Sequence, residues 1–501
     1  MSETGPDWDR VAAFLAGPGL ADDGPAEVIE THTARVHLAG ARVWKLRRPV
    51  DYGWLDYASR ARRRIMAERE IAWNEATAPG LYLGLGGVSE GPEGLRLIRP
   101  GSPVPAAAEP LVAMRRFPAE ALFDRMADEG RLSRALMAGT GAAVAAMHKA
   151  AEPGAPVDLP ALVGAETAAL AALSGTLGEA LTARLTGAMA AAAQRLAETA
   201  AGRRCRRCHG DLHLRNIVLW QGRPAPFDCI EFNDALSRID PLYDLAFLTM
   251  DLHRRGLSRL VPAALNAWAE ALAAAPGPEP ETAYGGLALL PLYEATRAAI
   301  RAKTGALGGD AAEARAYAGL ALARLGPAPA PRLVAVGGPS GSGKSTLARA
   351  LADRMGAVVL RSDAIRKGLR GVAETEALPP EAYAPAASAE VYAAMLARAR
   401  MALGGAMPVV LDATHLDPGE RARAAALAAA AGAGFQGLWL AAPGETLAGR
   451  IRGRGPDASD ATPAVLERQL AGLDAPADWT MIPAGQGPER VAGAAAAALG
   501  L

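Results

Sequence analysis

Two stretches of this chain hold residues of the kind that handle phosphate. The first runs His209-Gly-Asp-Leu-His-Leu-Arg-Asn216. Asp211 can accept the proton of an attacking hydroxyl, a contribution of roughly 10²–10⁴ in rate when well placed. Asn216, five residues on, can ligate Mg²⁺ from the same loop. Twelve residues further, Phe227-Asp228-Cys-Ile-Glu231 supplies another carboxylate, and together these oxygen donors suit a Mg²⁺-nucleotide. The second stretch runs Gly338-Pro-Ser-Gly-Ser-Gly-Lys-Ser-Thr346. Gly338, Gly341 and Gly343, with Ser340 and Ser342 between them, let successive main-chain N–H groups point inward around a phosphate, and the N-terminus of a following helix adds positive potential. Lys344 can reach the β- and γ-phosphates, Ser345 offers a hydroxyl to Mg²⁺, and Thr346 follows in the same turn.

Lysine usage points to a partner for the first stretch. Of 53 basic residues only five are lysine: Lys45, Lys149, Lys303, Lys344 and Lys367. Arginine carries the general surface charge, and a compact ammonium does not replace a guanidinium fork. Lys45 ends an alternating run, Ala41-Arg-Val-Trp-Lys45-Leu46, where a strand lysine could pair phosphates. Ala113 and Met114, before Arg115-Arg116-Phe117, are candidate main-chain contacts for an adenine edge; core packing is the competing reading of Met114.

Further candidates accompany the second stretch. Val358-Val-Leu-Arg-Ser-Asp363-Ala-Ile-Arg366-Lys367 places an Asp and an Arg three apart beyond a strand. A helix starting at Asp363 puts both near one face. Asp363 could take an acceptor's proton and Arg366 could hold an anionic part of that acceptor; helix capping by Ser362 or Asp363 competes. Pro408-Val-Val-Leu-Asp412 ends in a carboxylate suited to the Mg²⁺ shell. Arg450-Ile-Arg-Gly-Arg454 reads as a lid bringing arginines onto a transferring phosphate, against the plainer reading of a solvated basic helix.

These residues need a scaffold, and the pattern supplies one. Residues 1–115 contain strand-like alternation (Val28 to Leu38, then Ala41 to Leu46), a helical stretch from about Tyr57 to Ala76, and short strands near Leu95 to Ile98 and Leu111 to Met114. Residues 116–325 read as a helical catalytic lobe, interrupted by a hairpin of Ile217 to Leu219 with Pro226 to Ile230 around Gln221-Gly222. Residues 326–331, Gly-Pro-Ala-Pro-Ala-Pro, form a stiff linker. Residues 332–501 follow as one nucleotide-binding α/β domain with a parallel sheet. The two halves show no internal repeat.

The segments Cys208 to Asn216, Phe227 to Phe232 and Ile239-Asp-Pro-Leu-Tyr-Asp-Leu-Ala-Phe247 resemble the aminoglycoside phosphotransferase and choline kinase superfamily. That resemblance implies a bilobal protein-kinase-like fold that phosphorylates small-molecule hydroxyls. It makes Asp211 the catalytic base, Asn216 and Asp228 the Mg²⁺ ligands, and Asp240 and Asp244 scaffold residues near the loop. It also implies a helix glutamate as the partner of Lys45, at Glu70 or Glu68 on the following helix; Glu70 is preferred, because it places Trp73 and Thr77 on the packing side. The sequence departs from the compact kinase pattern by an insertion from Arg47 to Arg64. The set GPSGSGKST, SDAIR, VVLDATH and RIRGR resembles P-loop kinases of the gluconate kinase and 5′-hydroxyl polynucleotide kinase groups, over essentially all of residues 332–501. The whole arrangement is similar to bacterial proteins that fuse the two.

Bulk properties narrow the classes. A chain of 501 residues exceeds one ordinary core. Net charge is zero, so no broad footprint for nucleic acid or a membrane surface is visible. The polar start, MSETGPDWDR, is unlike a signal peptide, and no apolar stretch reads as membrane-spanning; a cytoplasmic location is expected. Cys205-Arg-Arg-Cys208-His209 matches a haem-attachment motif, but His209 is better used by its loop, and a zinc site lacks a second close cysteine pair. The resulting expectation is an ATP- and Mg²⁺-dependent phosphotransferase with two ATP sites, acting on small-molecule hydroxyls. The alternatives are a nucleic-acid 5′-hydroxyl kinase in the C-terminal half, or a regulatory protein with a non-catalytic first domain.

Overall fold

The computed structural model describes residues 5–17, 20, 23–24, 26–274, 279–327, 330–455 and 457–501. Part of the 326–331 linker lies outside the described residues. The chain forms two compact units, each assembled from separated segments.

The first unit comprises residues 1–132, 150–154 and 205–244. Its sheet is built from β1 (Ala26–Glu30), β2 (Ala34–Ala39), β3 (Arg42–Arg47), β4 (Tyr82–Gly91), β5 (Gly94–Ile98) and β6 (Glu109–Arg115). All neighbours are antiparallel, in the order β1-β2-β3-β6-β4-β5. Successive side chains of a strand point to opposite faces, and β3 uses both. Trp44 and Leu46 pack with Leu111 and Ala113 against Val11, Ala12 and Leu15 of the helix Trp8–Ala16. Val43 packs with Val112 and Met114 against Ala67 of the helix Arg60–Asn74. Lys45 therefore shares its face with that second helix.

The helix begins at Arg60 rather than near Tyr57 because the Ser59 hydroxyl caps it, accepting from Arg62 N. Its buried residues Arg63, Met66, Ala67, Glu70 and Asn74 recur at helical spacing. The sequence pattern did not show β4, which is rich in glycine. A Cβ on Gly86 would lie 2.8 Å from the Trp44 ring, so the indole lies across a strand that must be bare there.

Further along, β7 (Arg206–Arg207) pairs with a later strand, and β8 (Ile217–Trp220) with β9 (Arg223–Pro226) forms a hairpin. The second hairpin strand starts three residues earlier than the sequence pattern places it. Gln221 and Gly222 both have positive φ, a two-residue turn that returns the chain at once. Residues 227–230 are thereby released from the ladder as a loop. The partner of β7 is β10 (Arg238–Ile239).

The second unit comprises residues 133–149, 155–204 and 245–501. It joins a set of helices to a parallel sheet of β11 (Arg332–Gly337), β12 (Val358–Arg361), β13 (Val409–Asp412), β14 (Gly434–Ala441) and β15 (Thr480–Pro483). The order is β12-β13-β11-β14-β15, so the connectivity reverses beside β11 and opens a crevice at the strands' carboxyl ends. Val334, Val336, Val410, Leu438 and Leu440 form its core with the helices Lys344–Met355 and Pro488–Leu499.

Within this unit the helices do more than precede the sheet. The edge strand β12 is met by the helix Val261–Leu272, whose Asn266 amide donates to Ala357 O at 2.9 Å and accepts from Val359 N at 2.7 Å. One side chain thus satisfies an edge that would otherwise be open. Asn266→Ala leaves both main-chain groups without that partner, and a loss of about 2 kcal/mol is expected in urea unfolding of the full chain. Among the described residues no helix is long and apolar enough to cross a membrane.

Candidate functional site

The first site is assembled by β3, the helix Arg60–Asn74, the loop Cys208–Asn216 and the loop after β9. Lys45 Nζ lies 3.1 and 3.2 Å from the Glu70 carboxylate oxygens and 2.6 Å from Asp228 Oδ1. Glu68 instead pairs with Arg64 at 3.0 Å on the surface. Burial would lower the Lys45 pKa, but Asp228 and Glu70 overcome it and hold the ammonium well above its ordinary value. Burial likewise works to raise Asp228, and Lys45 reverses it, keeping the carboxyl below the usual range. Asp228 has φ +60, a left-handed conformation costly for a non-glycine residue. Its N–H is held 3.2 Å from the Tyr82 hydroxyl, and Cys229 N donates to Asn74 Oδ1 at 3.2 Å.

Opposite lies the loop. Asn216 Nδ2 donates to Asp211 Oδ2 and to Asp211 O, each at 2.9 Å. This use of the nitrogen leaves the amide oxygen as the Asn216 atom that could hold a cation. His213 Nε2 lies 3.3 Å from Asp211 Oδ2. The loop is fixed from beneath: the Asp244 carboxylate accepts from His209 N at 3.0 Å and Gly210 N at 2.8 Å. Asp240 caps the next helix by accepting from Leu242 N at 2.8 Å. His209 Nε2 lies 2.8 Å from Phe227 O, tying the loop to the residue before Asp228. Burial depresses the His209 pKa against the pull of Asp244 and Asp211, consistent with a neutral structural imidazole. Asp228 and Asn216 together offer oxygen donors of the kind a hard divalent cation takes.

Arg47, Tyr57 and Glu231 complete the site and were not picked out as its members by motif. Arg47 Nη2 donates to Glu231 Oε1 at 2.8 Å and also to Glu70 Oε2, so Lys45 and Arg47 share one buried carboxylate. Tyr57 donates to Glu231 Oε1 at 2.6 Å. The signal was present, because Arg47 is two residues beyond Lys45 on the same strand face. Met114 lies elsewhere. Its strand is paired on both sides, with Val43 and with Tyr82, and its side chain joins the core. The chain leaves this ladder only after Arg115.

The second site lies on the glycine loop after β11. Gly338, Gly341 and Gly343 have φ of 130°, 79° and 94°. A Cβ on Gly338 would come 2.6 Å from Leu440 O, and one on Gly341 2.6 Å from Leu447 O, whereas Gly343 faces open space. The loop thus admits only glycine on its outer side and keeps its inner side clear, as a phosphate cradle requires. Ser342 Oγ is buried and without a hydrogen-bond partner, a further fit to an oxyanion. Ser340 N donates to Gln469 Oε1 at 2.8 Å, and Ser345 and Thr346 lie in the first turn of the helix Lys344–Met355. Lys344 Nζ donates to Pro339 O at 3.0 Å. Burial lowers its pKa, opposed by Asp412 and Asp363.

Asp412 is buried at the end of β13, level with Arg361 and Val336 on the neighbouring strands. Asp363 sits in the first turn of the helix Ser362–Leu369 but makes no cap; Arg361 is the N-cap position and no side chain caps it. Burial first, and Asp412 second, push the Asp363 pKa up, opposed by Lys344. Arg366 is buried, donating to Ala382 O at 2.6 Å with its guanidinium 4.7 Å from the Tyr383 ring centre. Arg454 donates to Ser459 O and Ala461 O at 2.9 and 3.1 Å. Arg450 lines a cavity of about 430 Å³ together with Ser342, Gly343 and Thr346 of the glycine loop and its helix, and with the loop Ala484–Pro488. The loop after β15 carried no motif in the sequence.

A lysine–carboxylate pair over a loop bearing Asp211 and Asn216, and a glycine cradle with Lys344 and Asp412, define a phosphotransferase. The chain belongs to the phosphotransferase enzyme family, which matches residues 34–285, and residues 333–476 match an AAA domain. An uncharacterized protein of Mycobacterium tuberculosis is 31% identical over 482 residues, 92% of either chain, and one of Mycobacterium bovis matches equally. Among solved structures, a glucosamine kinase in complex with glucosamine, ADP and inorganic phosphate is 19% identical, covering 64% of this chain and 82% of its own with a TM-score of 0.41. A gluconokinase from Sinorhizobium meliloti is 24% identical, covering 34% and 92% with a TM-score of 0.27.

Proposed function

We propose that the chain transfers the γ-phosphate of ATP to hydroxyls of small molecules through two separate sites, one on each unit. The observation that carries this is the line Glu70–Lys45–Asp228 facing a hydrogen-bonded Asp211–Asn216 pair, with a second, independent cradle around Lys344. Bound Mg²⁺-ATP would supply the transferable group and neutralise its charge. At the first site Lys45, aligned by Glu70, holds the phosphates, and Asn216 and Asp228 hold the cation. Asn216 also orients Asp211, which takes the acceptor's proton.

At the second site the loop N–H groups and Lys344 hold the phosphates, with Ser345 and Asp412 toward the cation. Asp363 takes the acceptor proton; its raised pKa brings it closer to the basicity a proton acceptor needs. Arg366 shapes the acceptor side through Tyr383, Arg454 orders the lid, and the cavity beside Arg450 receives the base. Zero net charge favours small acceptors over a nucleic acid.

The test is a phosphoryl-acceptor screen of amino sugars, sugar acids, amino alcohols and a 5′-hydroxyl oligonucleotide. The parent chain, Lys45→Ala and Lys344→Ala are run side by side. Each substitution is expected to lower transfer to its own acceptor at least about tenfold and to spare the other. Undiminished transfer in both variants would overturn the reading of both sites.

A further inference from the structure

Arg361 ends β12 and is buried among four carboxylates. Its Nη2 donates to Asp457 Oδ1 at 2.9 Å, in the segment that follows Arg454. Nη1 is shared by Glu374 Oε1 and by Glu270 Oε1, the latter at 3.4 Å. Nε has no hydrogen-bond partner and lies 3.8 Å from Asp412 Oδ2, too far for a bond. Glu270 is not part of the nucleotide-binding sheet or its loops. It lies on the helix Val261–Leu272, one turn beyond Asn266, which fastens that helix to β12.

A guanidinium has five N–H donors in a rigid fork, so its direction follows from where its acceptors stand. Glu270 and Glu374 hold Nη1 of Arg361 and Asp457 holds Nη2, while Nε is left 3.8 Å from Asp412. Removal of Glu270 loosens that hold and lets the unpartnered Nε close on Asp412, the carboxylate it approaches at 3.8 Å. An Asp412 carboxylate paired with arginine is a poorer donor to a cation, because the two cations compete for the same oxygens.

We propose that Glu270, from the helical part of the chain, is a positioning residue for the second site, holding Arg361 off Asp412 so that this carboxylate stays available to Mg²⁺. The proposal rests on the reading of Asp412 as the carboxylate of the Mg²⁺ shell. It also makes the helix Val261–Leu272 a working part of the nucleotide site rather than a neighbour of it.

The experiment is Mg²⁺ titration of radiolabelled ADP binding to the full chain carrying Lys45→Ala. The component lost on adding Lys344→Ala reports the second site. Glu270→Gln is expected to raise the Mg²⁺ midpoint of that component about three- to tenfold, and Glu374→Gln to move it the same way. In an Arg361→Gln background Glu270→Gln should have no further effect, a dependence that a role in folding alone would not produce. Asp412→Asn is run alongside. A midpoint that responds to Asp412→Asn but stays within twofold in Glu270→Gln overturns the proposal alone. A midpoint indifferent to Asp412→Asn overturns the metal reading and the proposal with it.

Discussion

Asp211→Asn is expected to lower phosphate transfer at the first site by about 10²–10⁴ while nucleotide affinity stays nearly unchanged. The amide matches the carboxylate in size, and its oxygen can still accept from Asn216 Nδ2, which lies 2.9 Å away in the parent. The loop itself is held by Asp244 through His209 N and Gly210 N, independently of the Asp211 side chain. What disappears is the capacity to take a proton from the acceptor hydroxyl. Single-turnover transfer and equilibrium nucleotide binding, measured together, separate the two effects. A variant that transfers phosphate at the parental rate would remove Asp211 from the reaction. One that loses nucleotide binding in parallel would make it a structural residue.

Glu70→Ala is expected to destabilise the first unit by about 3 kcal/mol or more. The carboxylate is fully buried and accepts from both Lys45 and Arg47. Each cation keeps a second partner, Asp228 for Lys45 and Glu231 for Arg47, so neither is stranded. Both nevertheless lose a bond in a dry site, and a cavity replaces the carboxyl group. Glu70→Gln keeps the volume and one acceptor, and should fall between the parent and the alanine variant. Urea unfolding of the three proteins checks the order. A Glu70→Ala protein within about 1 kcal/mol of the parent would show that Lys45 and Arg47 are carried by their other partners.

Much of both candidate sites was legible because it is local. The loop from His209 to Asn216 and the glycine loop from Gly338 to Thr346 place their functional atoms within a few residues of one another. Lys45 was legible because a rare lysine ended an alternating strand. Less local features escaped. β4 was hidden because Gly84, Gly86 and Gly87 remove the side-chain alternation that marks a strand, and the reason for Gly86 is Trp44, two strands away in the sheet. Met114 left two readings open because an apolar residue before Arg115 looks the same whether its strand is central or ending. Asn266 and Glu270 sit in an Ala-rich helix with no motif, and acquire meaning only from β12, about ninety residues later. The loop Ala484–Pro488, which lines one cavity with Arg450, is equally silent.

The bond between Lys45 and Asp228 spans 183 residues of chain. Chains emerge from the ribosome at about 5–20 residues per second, so Lys45 waits roughly 10–40 s for its partner during synthesis. Through that interval Arg47 also lacks Glu231, and the shared Glu70 is its only acid. The residues of the small sheet are therefore synthesised before the acids that complete their charged interior. A chain truncated between Asn74 and Asp228 would carry the strand, the helix and the lysine, and still lack the acid that completes them.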